Sequence, residues 1–227
     1  MAVVADSWLD HSISALGCYS RSVKPAWLLL FFGPAVWAGP ELPDYRVALD
    51  EHLAEGVDQL NQVGRYRDAI KLAGRVQRAM GRLSGVSYEA GYAHYQLGEY
   101  DMALAHYDTA LKHDPECSSA AYDRGEIRLI KGQHDKAGAD FQMVVRLKPH
   151  HWAGHFRLAH IAGLLGDSTQ FEEHLMDALH VGFDLEVVMS DPDWARFIKH
   201  PELRPVLRKV IVLYGNDQLA AWVGERP

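Results

Sequence analysis

Between Asp50 and Phe183, apolar side chains form short stripes at helical spacing, and the stripes themselves recur at a step of 34 residues. A first unit, 50–83, carries Leu53, Val57 and Leu60 on one stripe and Ala69, Ile70, Ala73 and Val76 on the next, with Gly64 between them. Separations of three and four predict amphipathic helices. A second unit, 84–117, sets Tyr88, Gly91 and Tyr95 before Gly98, then Ala103, Tyr107, Ala110 and Leu111. The third, 118–151, repeats the order with Tyr122, Gly125, Leu129, Gly132, Ala137, Phe141 and Val144. The fourth, 152–183, keeps Leu158, Ala159, Gly166, Leu175 and Ala178 but has Phe171 where the others have alanine. Gly64, Gly98, Gly132 and Gly166 fall where each hairpin turns, and Pro115 and Pro149 where the second helix ends. A period of this length means stacked supersecondary units, none able to bury its apolar face alone. The class predicted is all-α.

Outside the repeats the pattern changes. Pro40 and Pro43 make 39–49 read as an extended lead-in. After Phe183 the period is lost. Asp191-Pro192 and His200-Pro201 each mark a helix start. Helices over 192–199 and 202–214 are expected to close the array within a cap spanning 184–227.

The small residues Gly91, Gly125 and Ala159, the alanines Ala69, Ala103 and Ala137, the groove-filling Tyr107 and Phe141, and the turn glycines together resemble the tetratricopeptide repeat. The resemblance covers 50–183. The string from Asp191 to Leu207 resembles the closing segment that follows such arrays in many bacterial members. It implies a right-handed superhelical solenoid of helix–turn–helix repeats with C-terminal capping helices, working as a non-catalytic scaffold or adaptor that holds a protein or peptide. In this family the first helix of each unit lines the concave face. Reading that face at the repeat step gives the columns Ala54, Tyr88, Tyr122 and Phe156; Asp58, Tyr92, Glu126 and His160; and Asn61, Tyr95, Leu129 and Gly163. The peptide-binding residues so implied are Tyr88, Tyr92, Tyr95, Tyr122, Glu126, Phe156, Arg157 and His160. Tyr88, Tyr92 and Tyr95 form one stripe of one helix, an amphipathic surface suited to a peptide; the competing reading makes them interhelical core. The family's clamp for a terminal carboxylate needs Lys, Asn and Arg. This face offers Ala54, Asp58 and Tyr92 instead, with positive charge only from Arg157, Arg124 and Arg128.

Charge and chemistry narrow the function further. A net charge of −7, with the two signs interspersed, disfavours nucleic acid as a partner. Two cysteines are too few for a disulfide framework or a cysteine-rich metal site. Arg21 and Lys24 precede an apolar run from Ala26 to Ala38, so 1–38 reads as a leader ending in a secretory signal peptide at 23–38. The run is too short to span a bilayer, and Gly33-Pro34 interrupts it. The expectation is a periplasmic or secreted bacterial protein without a stable membrane span in the mature chain. Asp6 and Asp10 suit a leader poorly, which makes Val23 an alternative start. A cytoplasmic adaptor is the alternative reading.

Among the 13 histidines, His150, His151, His155 and His160 cluster, and His151 with His155 is an i, i+4 pair. A histidine-based metal-binding protein or enzyme is therefore the alternative from another class. No zinc-protease motif, nucleophile elbow, phosphate loop or paired carboxylates accompany them. The expectation is no enzyme, no catalytic residue, no metal ligand and no cofactor.

Overall fold

The computed structural model describes residues 45–224, and every regular element among them is helical. The leader and the signal-peptide segment lie outside the described residues. Four hairpins follow in order: α1 (Tyr45–Gln62) with α2 (Tyr66–Met80), α3 (Ser84–Gln96) with α4 (Tyr100–His113), α5 (Ser118–Ile130) with α6 (His134–Leu147), and α7 (Trp152–Leu165) with α8 (Ser168–His180). A 3₁₀ segment, Leu185–Ser190, then leads into α9 (Pro192–Phe197), α10 (Leu203–Tyr214) and α11 (Asp217–Val223). This is an all-α helical-repeat fold. No described helix is long and apolar enough to cross a membrane.

One device makes all four hairpin turns. Gly64, Gly98, Gly132 and Gly166 all have positive φ, between 68° and 76°. At the second turn the Gly98 N–H donates to the Tyr95 carbonyl (2.9 Å) and the Glu99 N–H to the His94 carbonyl (2.9 Å). The same two bonds recur one repeat later, from Gly132 to Leu129 and from Gln133 to Arg128. This paired bonding satisfies the last carbonyls of the helix, and the left-handed residue it requires is cheapest as glycine.

Two elements depart from expectation. Helix α1 begins at Tyr45, inside the 39–49 lead-in but only one residue before the helical pattern expected from about Arg46, because no proline or glycine lies between Pro43 and Gly56. Helix α9 stops at Phe197 rather than at 199. Pro201 disfavours helical geometry at His200, so the chain turns before it. The Asp191 carboxylate caps α9, accepting from the Asp193 N–H at 2.8 Å, with Pro192 in the first turn as the sequence suggests.

The described residues form two compact units, 45–120 and 121–224, divided within α5. In the first, Ala54, Val57, Ala69, Ala73, Val86 and Ala90 share an apolar core. The Asp50 carboxylate of α1 accepts from the Gly85 and Val86 N–H groups at 2.9 and 3.1 Å. A carboxylate there satisfies orphan donors at the start of α3 and complements the helix dipole.

In the second unit the last hairpin and the C-terminal elements share one core. Phe156, Phe171 and Leu175 pack with Trp194, Phe197, Leu203, Leu207 and Leu219. The C-terminal helices thus cover an apolar end that a terminal repeat would otherwise expose to water. Asp140 is buried on α6, and its two carboxylate oxygens accept from Arg124 (2.6 Å) and Arg128 (2.7 Å) of α5.

Candidate binding surface

In the first unit, α3 presents the tyrosine stripe, but its three members have different surroundings. Tyr88 is 1% exposed, and its ring lies 5.9 Å from that of Tyr107. It is a core residue, which corrects its assignment to an open groove. Tyr92 and Tyr95 are half-buried, and Tyr95 has the Tyr100 ring 6.0 Å away. Asn61, in the same column as Tyr95, is buried and donates to both the Glu89 carbonyl and the Glu89 carboxylate at 3.0 Å.

In the second unit the predicted residues do come together, as an internal network. Tyr122 is buried edge-on against Phe141, with 5.5 Å between ring centroids. Arg157 reaches back from α7 and donates to the Glu126 carboxylate at 2.7 Å and to the Tyr122 hydroxyl at 3.3 Å. The Arg157 and Glu126 side chains are only 9% and 12% exposed. A guest carboxylate would therefore compete with one already seated, and breaking a buried pair leaves a charge uncompensated. Arg124 and Arg128 are engaged with Asp140 in the same way.

Phe156 and His160 are covered by the chain itself. Trp194 of α9 stacks on Phe156 at 5.3 Å and 5° between planes, and Phe183 closes from another side at 4.6 Å. A Cβ at Gly163, one turn further along α7, would lie 2.6 Å from the Phe197 ring. His160 is buried, with the Asp193 carboxylate 3.3 Å from its Nε2. Burial, followed by the nearby Arg157, holds this imidazole below the ordinary histidine range, against the opposing pull of Asp191 and Asp193. Both residues were expected to face a ligand. Their apolar area is instead satisfied by α9, because a terminal hairpin has no following repeat to cover it.

The i, i+4 histidine pair is not realised either. The His151 ring caps α7, accepting from the Ala153 N–H at 3.4 Å, and stacks on Trp152. His155 turns instead towards His174 and Asp177 of α8. Sequence reasoning paired histidines along one helix only and so missed this grouping. The legible signal was His174 with Asp177, an i, i+3 pair on a single face of α8.

The tetratricopeptide repeat family model matches residues 88–162, the two central repeats and most of α7. Residues 88–162 of this chain carry tetratricopeptide repeats. Among solved structures, this repeat protein is similar to YrrB, described as a tetratricopeptide protein with an unusual peptide-binding site. The TM-score is 0.59 at 14% identity, over 78% of this chain and 96% of that one. MamA residues 41 to the end, from Desulfovibrio magneticus RS-1, align with a TM-score of 0.58 at 19% identity, over 74% and 95%. A tetratricopeptide repeat protein from Parabacteroides merdae aligns at 0.58 and 16% identity, over 78% and 74%. At these identities the likeness is one of fold. No curated protein matches the sequence.

Proposed function

We propose that this tetratricopeptide-repeat protein is a non-catalytic scaffold that holds a protein or peptide, with the half-buried Tyr92 and Tyr95 of α3 as contact residues. The observation that supports this most directly is the difference along the tyrosine stripe. Tyr88 anchors α3 in the core, while Tyr92 and Tyr95 are only half-buried. An aromatic ring held on a rigid helix offers apolar area at little entropic cost, which is how interface hot spots are built. The peptide-binding site named for YrrB lends support by analogy of fold alone.

The acidic charge balance argues against nucleic acid as the partner. Export to the periplasm or medium is part of the proposal, on the basic flank, apolar run and small residues of 23–38. Affinity purification from the source organism, with wild type and Tyr92→Ala in parallel, tests the binding surface. A prey enriched by wild type and lost with Tyr92→Ala, at unchanged thermal midpoint, supports it. Equal recovery with both baits refutes it. Amino-terminal sequencing of the protein recovered from each cell fraction tests export.

A further inference from the structure

We propose that His155, His174 and Asp177 form a binding site for a divalent transition-metal ion that clasps α7 to α8. One ligand atom from each residue lies within 4.8 Å of the other two. The His155 side chain is nine-tenths buried, and its Nε2 lies 3.2 Å from the Pro149 carbonyl oxygen. A carbonyl can only accept, so Nε2 carries the proton and Nδ1 presents a lone pair. That Nδ1 lies 3.5 Å from the Asp177 Oδ2, and it makes no hydrogen bond. The His174 Nδ1 is likewise buried without a hydrogen-bond partner.

The His155 Nδ1 lone pair and the Asp177 carboxylate oxygen therefore face each other as acceptors, with a His174 ring nitrogen within 4.8 Å, and a cation is what reconciles them. Ligand atoms each about 2.1 Å from a tetrahedral centre stand roughly 3.4 Å apart, close to the His155–Asp177 separation. The backbone bond that orients His155 is the support a metal-bound histidine characteristically has. His174 and Asp177 share one face of α8, three residues apart, so a single element presents two of the ligands. Asp177 is 46% exposed, which gives the ion a route in and leaves a fourth position for water. Imidazole with carboxylate suits zinc and its neighbours rather than magnesium or calcium.

A second histidine–aspartate group, His160 with Asp191 and Asp193, serves as the internal control. Its carboxylates are already committed, Asp191 to the cap of α9 and Asp193 to Arg196 at 3.0 Å. The experiment is titration of the untagged full chain with zinc alone, against a chromogenic chelator, for wild type, Asp177→Asn, His174→Gln and Asp193→Asn, with circular dichroism to compare folding. The expected result is one saturable equivalent for wild type and Asp193→Asn, with affinity weakened more than about tenfold by each of the other two changes. Three results would overturn the proposal. These are no saturable equivalent in wild type, zinc affinity indifferent to Asp177→Asn and His174→Gln, or loss confined to Asp193→Asn. The first would leave His155 and Asp177 as a proton-bridged ion pair.

Discussion

The close approach of the two helices in each hairpin can be tested by rebuilding one repeat as its neighbour. In the second and third repeats a glycine on the first helix goes with an aromatic on the second: Gly91 with Tyr107, and Gly125 with Phe141. In the fourth repeat the same columns hold Ala159 and Leu175. A Cβ at position 125 would lie 2.8 Å from a Phe141 ring carbon, 0.6 Å short of the 3.4 Å at which ordinary contact begins. Phe141 is wholly buried, so its ring has no solvent to retreat into. Gly125→Ala alone should therefore carry an overpacking cost of about 1–3 kcal/mol, offset by about 0.5–1 kcal/mol from removing a mid-helix glycine. Phe141→Leu alone should cost about 1–2 kcal/mol from lost contact and a small cavity. Combined, the two reproduce the pair found in the fourth repeat, and the ring clash is relieved, leaving only the 3.2 Å approach to the Asp140 Cβ. The double mutant should then be more stable than the sum of the singles predicts by about 1–3 kcal/mol, within the range seen for touching residues. Urea unfolding of all four proteins, with the slopes compared as well as the midpoints, measures this interaction. Additivity to within about 0.5 kcal/mol would mean that the two positions do not touch, and would refute the packing argument.

Asp140→Asn should lower stability by about 3–5 kcal/mol in the same assay, because it removes the counter-charge that Arg124 and Arg128 share in a largely buried setting; a loss below about 1 kcal/mol would show that water supports those guanidiniums. His106 gives a pH prediction: burial first, then the charges of His94 and Arg82, push its pKa down to about 4. Its folded value lies below the unfolded 6.5, so the unfolded chain binds the proton more readily, and stability held above pH 6.5 is lost as pH falls towards 4. The thermal midpoint should decline over that window and decline less steeply in His106→Leu; parallel slopes would show that this group is not responsible.

The repeat was legible because it rests on a few residue types whose roles are local. A positive-φ turn selects glycine wherever it occurs, and a narrow helix crossing selects a small residue opposite a large one, so one chain displayed the rule several times over. Surface assignment has no such local signature. Tyr88 and Tyr92 are the same residue type one turn apart on α3, yet one is core and the other half-accessible. Their difference is set by what packs against each face, which a period of 34 does not encode.

Phe156 and His160 make the same point from the end of the array. They occupy columns that a following repeat or a guest could cover, and α9 covers them, through Trp194 stacking and a Phe197 ring laid against Gly163. The proline and aspartate that start α9 were readable, but the face it would choose was not, because apolar burial is non-directional. Arg157 reads in the sequence as a free cation on a binding face. In the fold it is the partner of Glu126, which lies 31 positions earlier in the chain and across a hairpin. A guest carboxylate that reached Arg157 would have to displace the buried Glu126 carboxylate and leave it uncompensated, so capture there starts at a cost that the sequence alone does not reveal.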